Sequence, residues 1–213
     1  MSYLKHYPKK VMFCCIVPPT SDGETPVCFN RELLAALNPR FLKKFEEKKI
    51  RFYRNYADKR DTNIWSWQSV FETDSKKRAE EILDSFNSHW QWHSNGALIS
   101  WHMGEPFITH PKTNEKVWFN QITLLHNSFY RNHPFYYEKY ELKAKNFPSD
   151  VTYGDGEEIE LEFIDYHRAV QWNLAVGIQW EKGDLLVLDN LLAQHGRMGY
   201  QGERKLVVGL IDE

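Results

Sequence analysis

Cysteine is scarce in this sequence, and its few residues are poorly spaced for cross-linking. The 213 residues include three cysteines, Cys14, Cys15 and Cys28. An odd number with no Cys-x-x-Cys pair argues against a disulfide framework and against a zinc knuckle. Because Cys14 and Cys15 are adjacent, a strand would point them to opposite faces as small apolar residues.

Strong net charge and long apolar runs are also lacking. The formal net charge is −2 and the pI is about 6.5, so no strong field favours nucleic acid or an anionic membrane surface. The longest apolar run, residues 11–19, is far shorter than a bilayer span, and no signal-peptide pattern opens the chain. We therefore expect a cytoplasmic protein that binds neither nucleic acid nor membranes.

Aromatic residues are abundant. They make up 15% of the chain and include 8 tryptophans, many in strand-like runs such as Val117-Trp118-Phe119. A thick β-sandwich core explains them better than a surface for carbohydrate or base stacking. The length suits one sizeable core, so residues 1–213 are interpreted as a single domain.

Short strands interrupted by a few helices are predicted along the chain. The predicted strands are 11–17, buried on both faces, and 25–29, 50–56, 64–71, 97–103, 116–125, 184–188 and 205–211. Helices are predicted after a cap at Asn30, with a break at Asn38-Pro39, and over 75–90 and 157–176. Residues 129–153 have no clean period and are interpreted as an insertion or lid. Strands and helices do not alternate regularly. The pattern therefore favours a mainly β fold with some α-helix, namely a double-sheet jelly roll with flanking helices.

The most informative segment begins at Trp180. A Gly183-Asp184 turn leads into an apolar strand, followed by a polar corner, His195, and then Arg204 at the start of the last strand. This order resembles the distal iron-binding arm of the iron(II)/2-oxoglutarate oxygenases, in the clavaminate synthase-like branch of the TauD/TfdA (taurine dioxygenase) family. The resemblance implies a double-stranded β-helix (jelly roll), with His195 as an iron ligand and Arg204 as the anchor of 2-oxoglutarate.

The chemistry of these residue types suits those roles. Iron(II) binds imidazole and carboxylate donors on one face and leaves positions for substrate. The planar fork of arginine matches a carboxylate with two parallel hydrogen bonds, which lysine cannot reproduce. Arg197 lies nearer to His195 in sequence and is the alternative anchor, but Arg204 stands where the family places its arginine.

Other segments resemble the same family in the same order. Gly23-Glu24-Thr25-Pro26 is similar to a Gly-Gly-(Asp/Glu)-Thr segment whose threonine helps to hold 2-oxoglutarate, although Asp22 replaces the first glycine. The segment from His110 to Gln121 is similar to a His-Pro turn leading into a Trp-Phe-Asn-Gln strand. Each motif alone is weak, because a lone histidine is usually structural, Thr25 suits an ordinary turn and Arg204 a strand edge. The family resemblance therefore rests on these motifs occurring together in the order that the family shows.

Two of the three iron ligands of the family are missing from the sequence. The family's His-x-(Asp/Glu) pair would lie at or just before Met1. His6 has Pro8 two positions later instead of an acid, and Asp22 and Glu24 lie in a turn whose family counterparts are not ligands. Three explanations stay open: the ligands precede Met1, the chain is a truncated non-catalytic relative, or another chain supplies them.

Two functions from different classes follow. The first is an iron(II)/2-oxoglutarate-dependent dioxygenase that oxidises a C–H bond of a small, amino-acid-like substrate and is inactive as this truncated chain. The second is a non-catalytic pseudoenzyme that binds an organic acid through Thr25 and Arg204, or a partner through the aromatic segment containing Phe135, Tyr136, Tyr137 and Tyr140. A jelly-roll lectin is a third, blander interpretation. The sequence leaves the substrate-binding residues and the oligomeric state unknown.

Overall fold

The computed structural model describes residues 7–60, 65–131 and 147–212. Its strands are β1 (Lys10–Val17), β2 (Ser21–Asp22), β3 (Thr25–Phe29), β4 (Ile50–Tyr56), β5 (His89–Trp92), β6 (Leu98–Gly104), β7 (Phe107–Thr109), β8 (Lys116–Trp118), β9 (Ser149–Tyr153), β10 (Val176–Ile178), β11 (Leu185–Asp189), β12 (Ala193–His195), β13 (Tyr200–Gln201) and β14 (Lys205–Ile211). Its helices are α1 (Asn30–Ala36), α2 (Pro39–Lys48), α3 (Trp67–Val70), α4 (Lys76–Ser85), α5 (Ile122–Leu125), α6 (Ser128–Arg131) and α7 (Leu161–Leu174).

Two three-stranded antiparallel sheets form the part of the jelly roll that carries the motif residues. One sheet has the order β11-β1-β14 and the other the order β10-β3-β12. Alternate residues of β1 point towards the second sheet because side chains of a strand alternate between its faces. The inter-sheet core contains Val11, Phe13, Cys15, Val27, Trp180, Leu188 and Ala193. The predicted jelly-roll class is confirmed.

A second core lies under the helices. The sheet β5-β6-β4-β9 and helices α1, α2 and α7 surround it. Phe45 of α2 is fully buried, with its ring centroid 4.8 Å from that of Tyr153 and 5.4 Å from that of Trp118. We call this the helix-covered core; its buried members are Cys28, Leu33, Leu37, Phe45, Ile50, Phe52, Trp118, Ile122, Leu125, Val151, Tyr153, Ile159, Phe163 and Ile164.

The break between the first two helices is confirmed. The side chain of Asn38 accepts a hydrogen bond from the backbone N–H of Arg40 at 2.9 Å, and Pro39 begins α2. Proline suits this first position because its missing N–H would have no partner inside the helix. The predicted cap at Asn30 is wrong, because Asn30 lies inside α1 and its side chain instead donates to the carbonyl of Leu191 at 2.8 Å.

Several predicted elements differ from the structure. The predicted strand 64–71 is wrong where it is described, because Ser66 caps the short helix α3. The predicted strand 116–125 ends at Trp118, and the predicted helix 75–90 ends at Ser85, before strand β5. Within the predicted insertion 129–153, Ser149–Tyr153 is β9, which pairs with β4; residues 132–146, with the aromatic segment at 135–140, lie outside the described residues.

The prediction that β1 is buried on both faces is also wrong. Val11, Phe13 and Cys15 are buried between the sheets, whereas Met12 and Cys14 on the opposite face are only half-buried. The prediction that Cys14 and Cys15 point to opposite faces is confirmed.

Candidate functional site

Strand β3 organises the residues that the motifs singled out. Thr25 lies opposite Ile178 of β10, and Val27 lies opposite His195 of β12. Directly opposed residues of an antiparallel pair share a face, and residues two apart on one strand do so as well. Thr25, Val27 and His195 therefore share one face, and Val27 places that face against the inter-sheet core.

His195 lies at the end of β12 and lines a cavity of about 560 Å³. Its ring packs edge-on against Phe13 of β1, with centroids 4.9 Å apart. Desolvation by the surrounding protein lowers the pKa of His195 below its usual range, which favours the neutral imidazole that binds metals. In the described part of the chain, no hydrogen bond to its ring nitrogens competes for this role.

Thr25 is buried, with only 2% of its surface exposed. Trp180 Nε1 donates a hydrogen bond to Thr25 Oγ1 at 3.0 Å, which fixes the hydroxyl as an acceptor. A hydroxyl can accept and donate at once, so the Thr25 hydroxyl keeps its own proton as a donor. The Thr25 side chain is therefore held in place by Trp180 and can still donate one hydrogen bond.

Arg204 lies one residue before β14 and reaches back to the start of β3. Its Nε donates to the carbonyl of Gly23 at 3.2 Å, two residues before Thr25. Its terminal nitrogens have no hydrogen-bond partner within residues 7–60, 65–131 and 147–212. The guanidinium thus presents an open fork at the turn that precedes β3, and such a fork suits a carboxylate.

Arg197, the alternative anchor, is on the other arm of the same turn. The guanidinium carbons of Arg197 and Arg204 lie 5.6 Å and 5.7 Å from the centroid of the Tyr200 ring. Arg197 is exposed and makes no hydrogen bond to the β3 segment, whereas Arg204 does. The geometry favours Arg204.

Gly23 makes this close approach possible. Its φ is +80°, and a Cβ atom there would lie 2.8 Å from both Pro19 Cγ and Tyr200 Cβ. The backbone N–H of Gly23 donates to the carbonyl of Gly199 at 2.9 Å. Glycine is therefore required where the β2–β3 turn meets the strand that leads to Arg204.

The described residues do not fit an iron(II) site by themselves. No group of three His, Cys, Asp or Glu side chains that could hold a metal ion occurs among them. Across the whole sequence, none of the nine histidines is followed two positions later by Asp or Glu. His195, the predicted ligand, has no companion ligand among the described residues, and iron affinity requires several ligands held together. His6 lies outside the described residues.

The motif from His110 to Gln121 has a structural role. The backbone N–H of Thr113 donates to His110 Nδ1 at 3.1 Å, which leaves Nε2–H to donate to Asp189 of β11 at 3.1 Å. Trp118 is fully buried in the helix-covered core, and the Asn120 side chain donates to the carbonyl of Pro106 at 3.0 Å. This turn thus ties β11 to the helix-covered side of the molecule.

Sequence reasoning missed a polar wall of the cavity. Arg168 of α7 is the one charged side chain among the residues that line the cavity; Asn120, Gln121, Gln171, Asn190 and Gln194 line it as well. Gln171 donates to Gln194 at 2.6 Å, and Gln194 donates to Asn30 at 2.8 Å. Arg168 and Gln171 are three residues apart on one helix, so their shared face was a signal that the sequence contained.

The chain belongs to the TauD/TfdA family of oxygenases: the family model described as "Taurine catabolism dioxygenase TauD, TfdA family" matches residues 1–210. Among particular relatives, it is 31% identical over 215 residues to the dapdiamide synthesis protein DdaC of Enterobacter agglomerans, covering 96% of this chain and 61% of DdaC. It is 24% identical over 217 residues to the clavaminate synthase-like protein At3g21360 of Arabidopsis thaliana, covering 99% of this chain and 62% of that protein. The chain thus spans about three fifths of the length of these relatives.

Solved structures support the same fold. An asparagine oxygenase in complex with Fe(II), hydroxyasparagine and succinate matches with a TM-score of 0.56 at 11% identity, covering 99% of this chain and 47% of that one. AAD-2 in complex with Mn(II) and N-oxalylglycine matches with a TM-score of 0.54 at 13% identity, covering 99% and 65%. In the described residues, no helix is long and apolar enough to cross a membrane.

Proposed function

We propose that this chain forms the 2-oxoglutarate-binding body of an iron(II)/2-oxoglutarate-dependent dioxygenase that oxidises a C–H bond of a small, amino-acid-like substrate. The observation that carries the proposal is the open fork of Arg204, held against the carbonyl of Gly23 two residues before the buried Thr25. His195 lies on the same face of the sheet as Thr25, on the neighbouring strand β12. Membership of the TauD/TfdA family supports the proposal.

The two side chains suit one end of a dicarboxylate. A guanidinium binds a carboxylate through two parallel N–H bonds, and these bonds are stronger than neutral hydrogen bonds because both groups are charged. The Thr25 hydroxyl adds a third donor from a site that excludes water. A ligand with a second carboxylate would extend its other end from Arg204 towards the His195 face.

The cavity supports the proposed substrate class. Among the described residues, its lining combines one cation, Arg168, with carboxamide side chains and apolar walls, and includes no Asp or Glu. Such a lining attracts a small anionic or zwitterionic molecule with hydrogen-bonding groups. A solved structure with the same fold is an asparagine oxygenase, and we extend the chemistry of its substrate to this chain as part of the proposal.

Thermal unfolding with 2-oxoglutarate tests the cosubstrate site. A ligand at about 100 times its Kd adds about 2.7 kcal/mol to the stability of the state that it binds. For a chain of this size we expect the Tm to rise by roughly 5–10 °C. Arg204→Ala should abolish the rise, and Arg204→Lys should restore only part of it because a lysine cannot bind two carboxylate oxygens in parallel.

Arg197→Ala is the matched control, because Arg197 stacks on the same Tyr200 ring and makes no bond to Gly23. It should keep the full rise. A rise that survives Arg204→Ala, or one that Arg197→Ala removes instead, would contradict the assignment of Arg204.

The second candidate function is a non-catalytic binding protein. The lack of further metal donors around His195 among the described residues favours it. In that case 2-oxoglutarate would stabilise the chain equally with and without Fe(II) under anaerobic conditions. Additional stabilisation by Fe(II) that disappears in His195→Ala would favour the enzyme instead. The expected cytoplasmic location stays a prediction.

A further inference from the structure

Arg168 is a poorly compensated cation in the lining of the cavity that contains His195. Among the described residues that line this cavity, there is no Asp or Glu. The structure describes one ion pair of Arg168, with Asp165 at 3.3 Å on the same helix, and the Asp165 side chain is 57% exposed. Because water screens such a pair, it neutralises little of the charge. Burial lowers the pKa of the Arg168 guanidinium, so a further anion beside it would be stabilising.

The Arg168 guanidinium is held by the short helix α5 and by the first residue of α6. Its Nε and Nη2 donate to the carbonyl of Thr123 at 3.2 Å and 2.7 Å, and its Nη1 donates to Ser128 Oγ at 2.9 Å. Nη2 carries two N–H groups. In the described part of the chain, the second of them has no acceptor. The guanidinium is thus fixed in place with one charged donor left for a ligand.

Gln171, one turn further along α7, ends a directed chain of carboxamides. Asn30 is fully buried and donates from Nδ2 to the carbonyl of Leu191 at 2.8 Å, so its Oδ1 is an acceptor. Gln194 Nε2 donates to that Oδ1 at 2.8 Å, and Gln171 Nε2 donates to Gln194 Oε1 at 2.6 Å. Because a backbone carbonyl can only accept, the orientation of each amide in the chain follows from the first.

The direction of this chain leaves Gln171 Oε1 as a free acceptor. No donor among the described residues reaches it. Gln171 and Arg168 both line the cavity, and residues three apart on a helix lie about 5–6 Å apart at Cβ. A fixed charged donor and a fixed neutral acceptor are thus neighbours. An α-amino acid carries the complementary pair on one carbon, a carboxylate that accepts and an ammonium group that donates.

We propose that Arg168 binds the carboxylate, and Gln171 Oε1 the ammonium group, of an α-amino acid in the cavity that His195 lines. This proposal rests on the proposed function and names the groups that recognise its primary substrate. A dicarboxylate is a poorer occupant, because it offers no donor to Gln171 Oε1. A simple amine is poorer as well, because Arg168 repels its charge. Asn30 and Gln194 are positioning residues that act through Gln171.

Ligand-observed NMR with the twenty L-α-amino acids tests this pair. The chain is saturated with 2-oxoglutarate, and the amino acids are screened in small mixtures. We expect at least one of them to bind, and its dissociation constant is then measured for wild type and variants. Arg168→Gln should weaken binding by about tenfold or more, because a hydrogen bond between charged groups is lost. Arg168→Lys should recover part of the affinity, because it keeps the charge.

Arg78→Gln is the matched control. Arg78 also pairs with an acid three residues away on a helix, Glu81 at 3.1 Å, but it is not among the residues that line the cavity. Its replacement should leave the dissociation constant unchanged. Equal losses in Arg78→Gln and Arg168→Gln would overturn the assignment of Arg168.

Gln171→Leu provides a readout that a merely structural role would not change. It removes the acceptor and keeps a side chain of similar size. The comparison is between the amino acid and its des-amino analogue, which has hydrogen in place of the ammonium group. Wild type should bind the amino acid more tightly than the analogue, and Gln171→Leu should remove this difference. Equal losses for both ligands in Gln171→Leu would overturn the ammonium assignment.

The remaining outcomes decide the proposal as a whole. Absence of binding by all twenty amino acids would overturn it, and so would unchanged binding in Arg168→Gln. The rise in Tm with 2-oxoglutarate should persist in Arg168→Gln; loss of that rise would place 2-oxoglutarate, instead of an amino acid, at Arg168. The Arg204 experiment contains no amino acid, and the screen is repeated without 2-oxoglutarate. Failure of this proposal is therefore distinguishable from failure of the proposed function.

Discussion

The helix-covered core is enclosed, whereas the sheet β11-β1-β14, whose strands are more apolar, is covered on one face only. Phe45, Ile50, Trp118 and Tyr153 have no exposed surface. On the outer face of the sheet, the side turned away from β3, Leu185, Val187 and Val207 are half exposed or more. Since the hydrophobic effect depends on the area removed from water, similar residues contribute stability in one region and little in the other. The sheet that lies beside the candidate site thus has one apolar face that is exposed to water.

The largest effect is expected from the enclosed region. Phe45→Ala removes a ring that contacts Trp118, Tyr153 and Phe163, and it leaves a cavity that the surrounding helices cannot fill. We expect the free energy of unfolding to fall by about 3–5 kcal/mol in urea titrations. Val207→Ala, on the outer face, should change it by less than about 1 kcal/mol. Equal losses would remove the distinction between the two regions.

A smaller effect is expected from pH, again in the helix-covered core. His167 is 1% exposed, and neither ring nitrogen has a hydrogen-bond partner in the described part of the chain. Burial, with a smaller contribution from Arg168, lowers the pKa of His167 to about 3. The unfolded chain therefore takes up a proton below about pH 6.5 that the folded chain does not. As the pH is lowered from about 6.5 to about 3, the free energy of unfolding decreases by about 1.4 kcal/mol per pH unit.

His167→Phe should remove this pH dependence. The comparison is the difference in unfolding free energy between pH 7.5 and pH 5.5, measured for wild type and variant. The wild type should lose about 1.4 kcal/mol more than the variant over that interval. Identical losses would mean that His167 is solvated or paired in solution.

The smallest effect on stability is expected on the outer face itself. Val187→Thr combined with Val207→Thr keeps the β-branched shape that suits strands and replaces exposed methyl groups with hydroxyls. We expect a change of about 0.5 kcal/mol or less in unfolding free energy and a higher solubility limit for the chain alone. A loss of about 2 kcal/mol or more would show that the outer face is covered in the isolated chain.

Local patterns predicted many elements because their signals are short-range. Strands β4 and β14 have the predicted bounds, and Asn38-Pro39 separates two helices as proline chemistry requires. The errors occur where a run of aromatic residues is compatible with either a strand or a helix. Trp67 begins a helix because Ser66 caps it, and 116–125 divides into a strand and a helix after Trp118. The amphipathic stripe of 75–90 did not reveal that the chain turns before β5.

For the candidate site, the sequence alone determined the residue types and their order: Thr25 in a Gly-Glu-Thr turn, His195 after an apolar strand, and Arg204 before the last one. These features are local, and so is the absence of an acid two positions after any histidine. Only the tertiary structure decided which arginine reaches Gly23, that Trp180 holds the Thr25 hydroxyl, and that α7 contributes Arg168 to the cavity. It also decided that β1, which has apolar residues on both faces, is buried on only one of them. Register and packing between distant segments set these contacts, and no short window of sequence contains them.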